Sequence, residues 1–86
     1  MSEIIVPQGP LVVGTTITVE VTGSPGTVNV ELRDGEPGNL VTTLTVTIGQ
    51  NGHGTATWTV VNTPDHVVFF SAVGYAPVAR DIVEPS

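Results

Sequence analysis

Apolar and polar residues alternate with a period of two along most of this 86-residue chain. This is the pattern of β-strands that bury one face and expose the other. Residues 17–22 and 28–33 alternate in this way, and so do residues 43–48 and 55–60. Because a short Gly-rich turn at residues 49–54 separates the last two segments, we predict that they pair as a β-hairpin.

Turn-forming residues separate the segments at intervals of about ten residues. This spacing favours an antiparallel sandwich or barrel, because a parallel sheet needs crossover helices and no segment has a helical pattern. We predict a single all-β domain over residues 1–86 with seven strands. The three strands beyond the alternating segments are predicted at residues 4–13, 66–72 and 77–83.

Three of the predicted strands have features that place them in the sheets. Pro7 and Pro10 cannot donate ladder hydrogen bonds, so the first should be an edge strand that bends, with a change of sheet midway as one option. The sixth is apolar on both faces at residues 67–70, as expected of a central strand. In the last strand Arg80 and Asp81 lie on opposite faces, so the sequence does not show which face of this strand points inward.

The apolar side chains on one face of the alternating strands should form a single core. No Cys is present, so no disulfide supports it. We expect Trp58 to lie in the core, and Tyr75 to close its edge and donate its hydroxyl to nearby backbone, with an exposed anchor as the alternative for Tyr75. The predicted core residues are Ile17, Val19, Val28, Val30, Leu44, Val46, Trp58 and Val60.

Composition agrees with a β-protein and narrows the choice of partners. The 13 Thr and 16 Val are β-branched residues that favour strands over helices. Two Lys+Arg against eight Asp+Glu give a formal net charge of −6. The two arginines cannot neutralise a run of phosphates, so we expect neither nucleic acid nor an anionic membrane as a partner.

Several stretches in order carry a resemblance to a known family. They are Gly14–Val19, Gly26–Val30 with Asp34–Gly35, Asn51–Gly52 with Gly54–Trp58, and His66–Val68 leading into Ser71–Ala72. Together they resemble the bacterial immunoglobulin-like (Ig-like) repeat, a module of surface adhesins, secreted-enzyme spacers and phage virion proteins. The segment Gly74–Pro77 departs from this pattern and looks more like the last hairpin of carboxypeptidase-regulatory-type sandwiches. The resemblance implies a seven-stranded antiparallel Ig-like β-sandwich with a structural or interaction role.

No group of residues has the spacing of a catalytic or metal site. The serines lie outside any nucleophile-elbow context, and His53 and His66 lack the spacing of metal ligands. Asp34, Glu36 and Asn39 offer oxygen ligands at near-alternating positions, but Pro37 intervenes and a bidentate Glu is missing, so a plain acidic turn is the better interpretation. We therefore expect no enzyme activity, no cofactor and no bound metal.

Two groups of residues are candidates for binding a protein partner. The first is the apolar N-terminal segment Ile4, Ile5, Val6 and Pro7, for which pairing within its own sheet is the alternative. The second is a pair of threonine rows, expected to face each other across the predicted hairpin. The rows are Thr43, Thr45 and Thr47, and Thr55, Thr57 and Thr59. Such rows could seat a partner sheet or bind ice, but high strand propensity and cross-strand pairing explain them without any ligand.

The resemblance and the lack of catalytic residues lead to one functional expectation. The chain starts with Met and shows no export signal or internal repeat, which favours a free-standing phage virion accessory protein, a capsid or tail decoration, assembled in the host cytoplasm. The alternative is an extracellular module of a larger secreted bacterial protein, acting in adhesion, as a spacer or in weak glycan or cell-surface contact. That alternative calls for exposed aromatic side chains.

Overall fold

The structure, a computed structural model, describes residues 2–86. This part of the chain is all-β and contains no helix, as the alternation predicts. Accordingly, it offers no helical segment able to cross a membrane. The strands are β1 (Glu3–Ile5), β2 (Leu11–Val12), β3 (Thr16–Thr22), β4 (Gly26–Gly35), β5 (Gly38–Ile48), β6 (His53–Thr59), β7 (Val67–Ser71) and β8 (Val78–Val83).

The strands form two sheets that pack as a sandwich. One sheet has three strands in the order β1-β3-β6, and the other has five in the order β2-β8-β7-β4-β5. The described part of the chain has eight strands in place of the seven predicted, because the predicted first strand divides into β1 and β2. Pro7 and Pro10 lie between these two, and each joins a different sheet, so the change of sheet midway is confirmed. The prediction of a wholly antiparallel sandwich is wrong at one place, because β2 pairs with β8 in parallel.

The predicted hairpin between β5 and β6 is wrong. β5 pairs with β4 from Gly26↔Ile48 to Gly35↔Gly38, and β6 pairs with β3 from Thr16↔Thr59 to Thr22↔His53. The turn at residues 49–52 therefore crosses from one sheet to the other. Apolar alternation directs one face of a strand inward but does not choose its hydrogen-bonded neighbour.

β5 and β6 approach each other closely at this crossing. A Cβ at buried Gly54 would overlap the Thr47 carbonyl and lie 2.8 Å from Val46 Cγ1. The turn itself is closed by two backbone bonds, in which Gly49 N–H donates to His53 O (3.1 Å) and Gly52 N–H donates to Gly49 O (3.0 Å). The local turn is thus hairpin-like, although its two strands belong to different sheets.

β7 is the middle strand of the five-stranded sheet, as its double-sided apolar pattern predicts. Val68 and Phe70 are buried, whereas Val67 and Phe69 are half-buried on the outer face. In β8, Ile82 is the buried residue, so the face of Val78, Arg80 and Ile82 points inward.

The inner faces of both sheets contribute to one core. Trp58 is 7% exposed and packs edge-to-face on Phe70, with ring centroids 6.1 Å apart and an interplanar angle of 85°. All eight predicted core residues belong to this cluster or pack against it, with Ile17, Val28 and Leu44 only partly buried. Among residues 2–86, fourteen hydrophobic residues are buried: Ile4, Val6, Leu11, Val19, Val21, Val30, Leu32, Val46, Ile48, Trp58, Val60, Val68, Phe70 and Ile82.

Tyr75 joins the two sheets at one end of the sandwich. It lies in the β7–β8 turn, packs against the core, and donates its hydroxyl to Thr22 O at the end of β3 (3.1 Å). Gly23 leaves room for this contact, since a Cβ there would lie 2.8 Å from Tyr75 Oη and its φ of +152° disfavours other residues. The predicted core-edge role of Tyr75 is confirmed.

Candidate interaction surfaces

The N-terminal candidate segment is largely part of the protein's own core. Ile4 and Val6 are each 4% exposed, and Ile4 pairs with Val21 in the three-stranded sheet. Only Ile5, which is 40% exposed, and Pro7 remain on the surface. The prediction that all four residues anchor a partner is therefore wrong for Ile4 and Val6, because an apolar stretch without clear alternation fits a buried strand equally well.

Arg80 fixes this N-terminal segment from the inner face of β8. Its guanidinium donates Nε–H to Pro7 O (2.8 Å) and Nη2–H to Val6 O (3.1 Å), and Nη1–H to Ala79 O (2.8 Å). The Val6 and Pro7 carbonyls belong to the link between β1 and β2, where Pro7 interrupts the ladder. Charge-assisted bonds at the crossing stabilise a bend that ladder pairing cannot hold.

The two predicted threonine rows do not face each other. Thr43, Thr45 and Thr47 lie on the outer face of the five-stranded sheet, where their partners are Glu31, Asn29 and Thr27. The second row lies on the outer face of the three-stranded sheet. There Thr55, Thr57 and Thr59 are opposite Glu20, Thr18 and Thr16. Because the two rows belong to different sheets, the predicted continuous threonine ladder across a β5–β6 hairpin does not exist.

The threonines of the three-stranded sheet instead form a row pair between β3 and β6. Thr16 Oγ1 and Thr59 Oγ1 are 3.1 Å apart and share a hydrogen bond. Glu20 and His53 continue the same face, with His53 Nδ1 2.7 Å from Glu20 Oε2. Cross-strand pairs of this kind stabilise the sheet by themselves, which is the explanation that needs no ligand.

The two histidines lie toward opposite ends of β6: His53 is its first residue, and His66 follows its far end in the β6–β7 loop. His66 has a φ of 57°, and its Nδ1 is 3.0 Å from Asn62 Oδ1 within the β6–β7 loop. His53 bonds to Glu20 at the other end. Within residues 2–86 no group of three or more His, Cys, Asp or Glu is placed to hold a metal ion.

In the acidic turn after β4, the carboxylate of Asp34 is buried and bonded to backbone. Asp34 is 7% exposed, and its Oδ1 accepts the Asp65 backbone N–H at 3.1 Å, which ties the end of β4 to the β6–β7 loop. Glu36 and Asn39 are exposed on the turn. One of the three oxygen-bearing side chains is therefore turned toward backbone rather than toward an ion.

A groove that the sequence analysis did not identify lies on the outer face of the five-stranded sheet. Half-buried Phe69 lies along it, with Pro37 and Pro77 as further apolar lining residues, and it encloses about 450 Å³. Arg33 is opposite Phe69 in the ladder, and its guanidinium donates to Glu31 Oε1 (3.0 and 3.2 Å) and Gly38 O (3.1 Å). The signal was the unbroken apolar run of β7, which requires one apolar face to point away from the core.

Other apolar residues are exposed on this side of the protein, of which Leu40 lies beside the groove while Val73 and Val83 lie away from it, at opposite ends of the sheet. Leu40 on β5 is 50% exposed and lies opposite Arg33, and Val83 on β8 is 40% exposed. Val73, in the turn after β7, is fully exposed. We call the groove together with Leu40 the Phe69 face, defined by Leu40, Phe69, Pro37 and Pro77.

Comparisons with known proteins add no relative: no family model, no curated protein and no solved structure matches the chain.

Proposed function

We propose that this protein is a non-catalytic structural or interaction protein with an Ig-like sandwich, and that it serves as an accessory protein of a phage virion, decorating the capsid or tail. The strand order supports the fold part of the proposal. In Ig-like sandwiches the first, second and fifth strands share one sheet, and the third, sixth and seventh share the other. Here β1, β3 and β6 take the places of the first, second and fifth strands, and β4, β7 and β8 those of the third, sixth and seventh. The second half of the divided first strand, β2, joins the other sheet, and β5 pairs with β4 as the extra C′ strand of variable-type domains does.

The observation that carries the functional part is the Phe69 face. Single exposed apolar residues are ordinary on any protein surface, but a contiguous set around a groove is typical of a protein contact. Phe69 is the aromatic side chain of this set, and aromatic residues are enriched where interfaces are fully buried. The partner contact is accordingly assigned to the outer face of the five-stranded sheet rather than to the N-terminal segment.

The charges on this face do not favour an anionic partner such as nucleic acid or an anionic membrane, and a protein partner fits them better. The guanidinium of Arg33 is already bonded to Glu31 and Gly38, and its ion pair with Glu31 leaves no net positive charge there. The glycan-binding alternative calls for exposed aromatic side chains, and two of the four aromatic residues in the sequence, Trp58 and Phe70, are buried. What remains is an apolar surface suited to a protein.

The test is whether the chain is a component of particles. Virions released by cells that express a tagged copy from its own genomic context are purified on a density gradient and analysed by mass spectrometry. We expect the chain in the particle fraction, and we expect Phe69→Ser to lose at least ~10-fold of its particle occupancy. Thr57→Ser, on the opposite sheet, is the matched control and should retain occupancy.

Two results would count against the proposal. Absence of the chain from purified particles, together with its recovery from the cell surface or medium, would favour the secreted-module alternative. Equal occupancy of the Phe69 variant and the control would keep the virion assignment but remove the Phe69 face as the contact.

A further inference from the structure

The sandwich has two flanks where edge strands are exposed: β1 and β2 form one flank, and β5 and β6 form the other. The two flanks differ in how well their edges are protected from pairing with another chain. On one flank β1 and β2 are three and two residues long, with Pro7 and Pro10 between them and Arg80 bonded across the bend. Short strands, prolines and charges are the usual devices that prevent an edge from pairing with another chain. This flank is protected.

The opposite flank carries none of these devices. β5 is the edge of the five-stranded sheet and β6 is an edge of the three-stranded sheet. β5 is eleven residues long, and the whole stretch from Pro37 to Pro64, which contains both strands, has no Asp, Glu, Lys or Arg. The β4–β5 register shifts between Leu32 and Arg33, which leaves Val41 without a partner in the ladder. Beyond it, residues 42–46 pair regularly with β4 before Thr47 comes close to Gly54 of β6.

We propose that the β5 edge pairs with the β5 edge of a second copy of this chain, antiparallel and about a two-fold axis. In such a pair each residue is opposite a residue of the same face, so Thr43 and Thr45 meet threonines while half-buried Leu44 meets its own counterpart. The alternation of β5 is thus complementary to itself. The proposal concerns self-association and does not depend on the virion assignment.

The self-complementary alternation fits a second copy, and the charge distribution confines contact between two copies to this flank. Two chains of net charge −6 repel each other, and they come together with least repulsion through a flank that carries no charged side chain. A basic partner strand would find no carboxylate on β5 or β6 to pair with. The contact is one strand wide, below the area of a standard stable interface, so we expect a dissociation constant of about 10 µM to 1 mM.

The experiment measures the dissociation constant by sedimentation over protein concentrations from ~10 µM to ~2 mM. In Thr43→Lys/Thr45→Lys, ammonium groups of the two copies face each other, and the dissociation constant should rise at least ~10-fold. Thr16→Lys/Thr18→Lys is the matched control, because it makes the same charge change at the same spacing on the outer face of central strand β3. The control should stay within about two-fold of the wild type.

Salt provides a second readout. Raising the ionic strength from about 0.05 to 0.5 M should tighten the dimer, because it screens the repulsion between two acidic chains while the uncharged contact is unaffected. A monomer at every concentration, equal weakening by both double variants, or a dimer that salt dissociates would each overturn the proposal. Circular dichroism of both variants checks that they remain folded.

Discussion

Replacing Trp58 with alanine tests whether the two sheets are held together by the core described above. Trp58 is 7% exposed and packs edge-to-face on Phe70 across the sandwich. A buried aromatic side chain removes about 150–250 Å² from water, which at about 25 cal/mol per Å² gives about 4–6 kcal/mol. Residual burial in the denatured chain lowers this figure by roughly 10–40%, so we expect a loss of about 3–5 kcal/mol.

A loss of this size is large for so small a protein. At about 0.05–0.15 kcal/mol per residue, a chain of 86 residues has a free energy of unfolding of roughly 4–13 kcal/mol. Trp58→Ala should therefore remove between a quarter and all of the stability. Urea unfolding followed by far-UV circular dichroism measures it without relying on tryptophan fluorescence.

Two further variants make the result interpretable. Thr57→Ala changes the neighbouring, outward-facing residue of the same strand and should stay within about 0.5 kcal/mol of the wild type. Trp58→Phe keeps an aromatic ring and should lose less than alanine does, which gives a measurable value if the alanine variant does not fold. A loss below about 1 kcal/mol for Trp58→Ala would refute the assignment of Trp58 to the core and restore the glycan-binding alternative.

Three other variants test particular contacts. Gly54→Ala should lose about 2 kcal/mol or more in thermal unfolding, because its Cβ would overlap the Thr47 carbonyl; an unchanged midpoint would contradict the close β5–β6 crossing. Tyr75→Phe should lose about 0.5–1.5 kcal/mol in urea unfolding by removing the bond to Thr22 O, and no loss would mean that the hydroxyl is not used. Arg80→Met keeps the apolar stem but removes the bonds to the β1–β2 link, so amide hydrogen exchange in residues 3–12 should accelerate; unchanged exchange there would show that the bend holds without it.

Those features of the fold that depend on local pattern were predictable from the sequence. Alternation gave the all-β class and the inward faces, and the double-sided run at residues 67–70 placed β7 at the centre of its sheet. Pro7 and Pro10 indicated an edge that bends, because proline removes ladder donors wherever it stands. Each of these inferences uses only neighbours along the chain.

Strand pairing was not predictable in the same way. β4, β5 and β6 all have one apolar face, and the turns on either side of β5 both suit a hairpin. β5 turns back on β4 over ten paired positions, and that leaves β6 to join β3. The choice depends on which arrangement closes a core from both sheets, and no single segment contains that information.

The candidate interaction surfaces were also only partly predictable from the sequence. The N-terminal run and the threonine rows were chosen because their residue types suit a surface, yet Ile4 and Val6 entered the core and the rows separated. Phe69 was not among the predicted interaction residues. The sequence shows that β7 is apolar on both faces, but it does not show whether other elements cover the outer face.

The uncharged stretch from Pro37 to Pro64 illustrates how topology gives a sequence feature its meaning. Were β5 and β6 a hairpin within one sheet, one of them would be covered by the other and a single edge at most would be exposed. Because the turn at residues 49–52 crosses between sheets, each strand ends its own sheet, and both edges lie on the same flank. In the sequence this stretch is simply uncharged. In the fold it contains the edge strands of both sheets on one flank, so that flank has no charged side chain to hinder pairing with another chain, whereas the opposite flank is protected by short strands and prolines. That contrast between flanks, together with the uncharged and self-complementary alternation of β5, is why self-pairing is expected there.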